Sequence, residues 1–496
     1  MDLAHDLEFL TKYACVDSAV LHTALRLKLF DALGQDTMRV DQLARRLGTS
    51  LRGTRVVTEM LVGSGVLTAD EGGSLALSPA LAGPLHDRSF TGRLSQASRW
   101  WQPARKLPAA VRTGAPVRHD GCNWDLLEHY TRLFSVKDVP SDVPDEAEKL
   151  FDRVARQFLR TQALICASEM DLFHLFSEST YSLSQVAETC QAHPAGLNML
   201  LTLLVQLGIL EADGENYRYC AEAQRVLNRR NVLFYGQGCH LTGLYWEALG
   251  QLDETILHNR HILDLQDPEQ SNSFYLALAR YNTLIFPSYL QLTSTVAMTL
   301  ARGRSLAHAA VLDVGAGSGV WGVGVARTEP TAIVTFLDQP QVLPQAQRNI
   351  ERLNLTAQAR FWTGDLLHVD YGENAFDAII LGQVCHTQHP QDLPPLFARL
   401  ARALRPDGVL LIADSVLNER RDGPLNSLYF AVKEFISSQG DLLSLNEYAD
   451  LLAGAGLMAL HCYDASSINI ILATRNPVAF PTSLLSRAPA SRPHQG

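Results

Sequence analysis

Hydrophobic positions along this chain follow two regimes. Up to about residue 304 they recur three and four apart, the spacing of helices that bury one face. From Ala310 onward, short continuous apolar runs alternate with glycine loops and helical stretches: AVLDVGAGSGVWGVGVART, AIVTFLDQPQVLPQAQRNIERLNL, ARFWTGDLLHV, FDAIILGQVCHTQHP and VLLIADSVL. This alternation predicts a parallel sheet covered on both faces, with ligands at the carboxyl ends of its strands.

The helical part contains one unit twice. Residues 29–70 lie on residues 172–213 without a gap, placing Leu29 over Leu172, Ala44 over Ala187, Gly53 over Gly196, Leu61 over Leu204, Gly65 over Gly208 and Asp70 over Asp213. In each copy a short amphipathic helix (VDQLARRLG, LSQVAETCQ) precedes a turn and a second helix. That second helix carries Val56, Val57, Met60 and Leu61, or Met199, Leu200, Leu203 and Leu204. A hairpin follows (TADEGGSLAL, EADGENYRY), completing the outline of a winged helix. A weaker continuation sets Trp101 over Trp246 and Leu107 over Leu252. The Pro- and Asp-rich stretch Lys137 to Glu148 reads as the linker between copies. Expected domains are therefore 1–140 and 149–304, both mainly α winged-helix, then an α/β Rossmann-like domain with a mixed, mostly parallel sheet over 305–476, and a Pro-, Ser- and Ala-rich disordered tail over 477–496.

Length agrees, since 496 residues are too many for one domain. The 47% hydrophobic and 19% charged content supports a sizeable core, and the net charge of −10 is the wrong sign for a protein that lives on phosphate backbones or anionic lipid. A winged helix suggests DNA, yet His193 to Leu210 contains no Lys, Arg, Asp or Glu. Such a helix is expected to be buried in a packing module, so no nucleic acid partner is expected. The longest greasy stretch, residues 197–210, is too short for a bilayer span, and the acidic start MDLAHDLEFL does not look like an export signal. The eight scattered cysteines show neither a C-x-x-C pair nor metal-ligand spacing. Reduced thiols in a cytoplasm, with no metal and no membrane, are expected.

Candidate chemistry begins where VLDV runs into Gly315, Gly317 and Gly319, a loop that lets the backbone approach a ligand closely. The G-x-G-x-x-G spacing at 317–322 also suits NAD(P), so a dinucleotide has to be weighed against a nucleoside. Asp338, about 20 residues on, suits ribose hydroxyls in either ligand. Asp313 and the Gly364-Asp365 pair separate the two, because a pyrophosphate site would not want a carboxylate at Asp313.

With these motifs the chain resembles the class I S-adenosylmethionine-dependent O-methyltransferases that act on caffeic acid, acetylserotonin and hydroxyneurosporene type substrates. The resemblance is carried by VLDVGAGSG, TFLDQPQVLPQA, TGDLL, FDAIILGQVCH, ALRPDGVLLIAD and SLNEYADLLAGAGL, from the second winged helix to about Thr474. The first copy lies outside the usual family length. The resemblance implies S-adenosylmethionine as methyl donor, with Gly315, Gly317 and Gly319 beside it, Asp313 helping to hold its amino acid end, Asp338 on the ribose, and Gly364, Asp365 and Leu366 near the adenine. It also implies a small, aromatic or polyketide-like acceptor, His386 as catalytic base and Asp414 as an acidic partner orienting it. A neutral imidazole suits proton removal from an attacking hydroxyl.

Where many members read H-D-W-S-D, this chain reads His386-Thr387-Gln388-His389-Pro390, and the second acidic partner falls at Leu442, next to Asp441. This keeps open an enzyme that positions an already nucleophilic acceptor, carbon or nitrogen methylation, and a non-methylating reaction on the same donor. A metabolite-sensing winged-helix regulator is the remaining alternative. Lys433, where the family usually has apolar pocket residues, is expected to contact an acidic substrate group. Family members pair through the winged-helix module, so an ordinary homodimer is preferred over a pseudo-dimeric monomer in which the extra copy takes the partner's place.

Overall fold

The computed structural model describes residues 2–119, 121–135, 145–227, 229–258, 261–263, 267–303, 305–465 and 468–476. The expected tail 477–496 and most of the expected linker lie outside them. The chain divides into two compact units, Met1–Leu265 and Gln266–Gly496.

The first unit holds both winged helices. Their elements correspond one for one: helix Ala14–Arg26 with Gln157–Glu169, Val40–Leu47 with Leu183–Cys190, and Leu51–Gly63 with Pro194–Gln206. Ser50 caps helix Leu51–Gly63 by accepting the Gly53 N–H, and Ser182 forms a capping box with Gln185. The hairpins form as expected, Leu67–Ala69 with Ser74–Leu77 and Leu210–Asp213 with Asn216–Tyr219. Each gains a third short strand, Met38–Arg39 or Tyr181–Ser182, that sequence patterning did not show. The uncharged helix Pro194–Gln206 buries Gly196, Leu197, Leu200, Leu201, Leu203 and Leu204 and packs against Leu107–Thr113 and Leu126–Ser135.

The second unit is built on a seven-stranded sheet, in the order Met458–Ala465, Ile468–Thr474, Leu404–Asp414, Phe376–Gly382, Ala310–Val314, Ile333–Asp338, Ala359–Thr363. The last five run parallel, and Ile468–Thr474 is antiparallel to both neighbours. Side chains alternate between the faces. Val311, Ile380 and Leu411 enter one core, and Leu312, Ile379 and Leu410 enter the other.

One boundary differs from expectation. Helix Pro268–Gly303 was expected in the second winged-helix domain, but it belongs to the sheet-bearing unit. Phe286, Leu290, Val296 and Ala297 share one core with Val311, Val334 and Phe336, so burial of that apolar face fixes the helix here. Among the described residues no helix is long and apolar enough to cross a membrane.

Candidate active site

Strand Ala310–Val314 ends in a loop whose glycines all take positive φ: Gly315 at 65°, Gly317 at 55° and Gly319 at 77°. Any other residue there would strain the backbone. Helix Val320–Thr328 starts immediately after. The loop is held from two sides. Gly317 donates its N–H to Asp338 Oδ2 at 2.7 Å, and Gly322 donates to Asp313 Oδ2 at 2.9 Å.

Asp313 is only 1% exposed. The resemblance sets it beside the donor's amino acid end, and its carboxyl accepts the Gly322 N–H in the first turn of the following helix. Burial pushes it up to about 8, opposed by the Gly322 N–H and reinforced by Asp338. Asp338 also accepts from Gln339 N at 2.7 Å, and burial raises it against the pull of these two N–H groups. Each of its oxygens keeps a lone pair for a diol. Gly364, after the neighbouring strand, donates its N–H to Asp338 O at 3.0 Å. Asp365 is exposed and accepts from Leu367 N at 2.9 Å and from the His368 ring at 2.6 Å. What burial it has would raise its carboxyl, but these bonds and Arg399 hold it below the ordinary carboxylate range. Leu366, half-buried, is pinned through its carbonyl by Tyr371 Oη at 2.7 Å and Arg399 at 3.2 Å.

His386 and Asp414 come together because their strands are parallel neighbours, with Gly382 opposite Ala413. Past Gly382 the backbone kinks at Gln383, a non-glycine residue at φ 60°, into the 3-10 turn Cys385–Thr387. The ring Nδ1 of His386 lies 2.6 Å from Asp414 Oδ1, and its backbone N–H donates to Oδ2 at 3.2 Å. Ser415 N donates to Oδ1 at 2.8 Å and Tyr448 Oη to Oδ2 at 3.1 Å. Four donors thus fix a carboxylate that is fully buried. A carboxylate only accepts, so Nδ1 carries the proton, and Nε2 has no hydrogen-bond partner among the described residues. Burial opposes charge on the His386 ring, but the field and hydrogen bond of Asp414, helped by Glu434, hold it up at about 9. Burial and the Asp414 charge push the Cys385 thiol well above its ordinary range, so it is no nucleophile at neutral pH.

Asp441 does not serve as the second acid. It pairs with Arg421 at 3.1 Å. Glu434, buried on helix Leu425–Ser437 and accepting from Ser438 Oγ at 3.1 Å, adds to the Asp414 charge in the field on His386. Burial raises it, against His386, Ser438 and Lys433. Lys433 is half-buried on the same helix. Phe430 closes over the His386 ring at 4.7 Å between centroids, edge to face. Tyr275 lies on helix Pro268–Gly303, 36% exposed, and its hydroxyl feels the charges of Glu434 and Asp338. Burial raises it first, with those carboxylates adding to the shift. Glu434, Tyr275 and Tyr448 were missed in the sequence. The only signal was the helical spacing that puts Phe430, Lys433 and Glu434 close together on one helix.

Two known families match this chain. The O-methyltransferase domain family matches residues 267–458, and the O-methyltransferase dimerisation domain family matches residues 11–80 and 153–227. The chain is 27% identical over 338 residues to the tetracenomycin polyketide synthesis 8-O-methyl transferase of Streptomyces glaucescens, covering 64% of this chain and 94% of that protein. It is 26% identical over 339 residues to the acetylserotonin O-methyltransferase of Rattus norvegicus, covering 65% and 76%. Among solved structures, the mitomycin 7-O-methyltransferase shares the fold at a TM-score of 0.57 and 20% identity, covering 67% of this chain and 98% of that one. Human N-acetylserotonin methyltransferase in complex with SAM does so at 0.55 and 21%, covering 68% and 100%.

Proposed function

Because this chain belongs to the S-adenosylmethionine-dependent O-methyltransferases, we propose that it methylates a hydroxyl of a small aromatic or polyketide-like metabolite in a reducing cytoplasm. The observation that carries the reading is the buried His386–Asp414 pair, set at strand ends beside the glycine loop. Similarity to enzymes named for tetracenomycin polyketide and mitomycin substrates supports the acceptor class.

The residues present fit the donor. Gly317 looks onto open space, with nothing nearer than the Gly315 carbonyl at 4.0 Å to where a Cβ would sit. The loop is a cradle, Asp338 supplies acceptors for a ribose diol, and Asp365 and Leu366 flank the position of a base. Asp313 acts one step back, by fixing the loop. S-adenosylmethionine supplies a methyl group on a sulfonium sulfur, which needs no further activation as a leaving group. His386 Nε2 takes the acceptor's proton as its oxygen bonds to the methyl carbon, and Asp414 holds the ring in the tautomer that frees Nε2. Phe430, packed on the His386 ring, limits where the acceptor can lie, which supports alignment at near-attack distance.

Calorimetric titration is expected to show one S-adenosylmethionine per chain. Mass spectrometry after incubation with labelled donor and a phenol and naphthol library is expected to place the label on oxygen. A labelled product carrying the methyl on carbon or nitrogen would overturn the oxygen assignment.

Lys433 is expected to favour acceptors with a carboxylate. Lys433→Met should raise KM roughly tenfold for a carboxylated acceptor, the scale of one charge-assisted hydrogen bond, and leave its neutral analogue unchanged. An equal KM change for both acceptors would remove Lys433 from the acceptor site.

A further inference from the structure

Three pairs of hydrogen bonds join the two copies in the first unit, and each pair recurs with the copies exchanged. Ser18 Oγ donates to Arg153 O at 2.6 Å, and its counterpart Thr161 Oγ1 donates to Leu10 O at 2.7 Å. Ser50 N donates to Ile256 O at 3.0 Å, while the counterpart His193 N donates to Val111 O at 3.1 Å. Trp101 Nε1 donates to Trp246 O at 3.0 Å and Trp246 Nε1 to Trp101 O at 3.3 Å, with the rings stacked at 4.4 Å. Helix Ala14–Arg26 packs directly on its own counterpart, Gln157–Glu169.

Contact of residue i with j and of j's counterpart with i's is the signature of an isologous, two-fold interface. Here it lies inside one chain. Its centre is core-like: Trp101, Trp246, Phe158 and His22 are all buried, as in obligate rather than transient pairs. The dimerisation family matches both copies, whereas the O-methyltransferase domain family matches once. We propose that the chain is its own dimer: the first copy occupies the pairing surface of the second, and the protein is a monomer with one catalytic unit. Covalent linkage gives the copies an effective concentration on the order of millimolar for each other, well above that of a second chain at micromolar concentrations.

Light scattering of the full chain over a range of micromolar concentrations is expected to return the chain mass of 54.6 kDa. Coexpression of two differently tagged copies should yield no mixed species on capture through either tag. A species of twice that mass, or recovery of both tags together, would overturn the proposal. The second result would equally reveal chains that exchange their copies.

Discussion

Replacing His386 with glutamine is expected to lower kcat by about 10²- to 10⁴-fold, the range of a positioned general base, with S-adenosylmethionine affinity changed less than about twofold. The pH profile identifies the group. With the ring held at about 9, imidazolium prevails in the free site at neutral pH, and the neutral ring grows tenfold per pH unit up to that value. For an acceptor hydroxyl that stays protonated, kcat/KM should therefore rise with unit slope to about pH 9 and then level. Asp414→Asn removes the charge that raises the ring, so its profile should level at lower pH, with a reduced plateau. A merely structural loss would lower activity without moving that limb. Stability carries the opposite sign. Since the folded pKa of His386 exceeds the unfolded value of 6.5, its contribution is full below about 6.5 and is lost as pH rises through about 9. Thermal melting of the wild type, compared with His386→Gln, should show that excess sensitivity between those limits.

Gly440→Ala is expected to be the most damaging small substitution near the site. A Cβ at Gly440 would stand 1.8 Å from the His386 carbonyl oxygen, 2.7 Å from its carbonyl carbon and 2.8 Å from that of Thr387. These are backbone atoms, so no rotamer change relieves the clash, and overpacking of this kind costs about 3 kcal/mol. The turn carrying His386 must move, so kcat should fall together with the melting temperature of the variant. An alanine variant matching the wild type in both would show that the turn yields without consequence.

The donor half of the site was legible because contiguous residues carry it: a strand, its glycine loop and the next helix lie within about 20 positions, and Asp338 ends the adjacent strand. His386 and Asp414 were legible through the alternation that makes their strands parallel. The acceptor half was not. Glu434 and Tyr448 come from two helices, and tertiary packing alone brings them to the His386–Asp414 pair. Sequence offset put the second acid at Leu442, and the neighbouring Asp441 is a buried carboxylate that pairs with the guanidinium of Arg421. The boundary of Pro268–Gly303 failed for a similar reason. Its apolar stripe announces burial without saying which core receives it. In the first unit, the repeat set Trp101 over Trp246, yet nothing in the alignment said that the two rings would lie on each other.

That stacked pair sits at the centre of an interface written twice in one gene. In a true homodimer a substitution near the axis alters both sides at once, and each change must tolerate its own mirror image. A duplicated chain is released from that constraint, and the core shows it. The His22 ring packs edge to face on Phe158 at 5.2 Å and on Trp101 at 5.5 Å. Trp101 has Trp246 as its counterpart in the repeat, but His22 aligns with Ile165 and Phe158 with Cys15. Burial pushes the His22 ring down to about 3 and keeps it neutral, and its Nε2 lies 2.7 Å from Val154 O. Each side of the axis thus packs against a partner that it does not have to resemble.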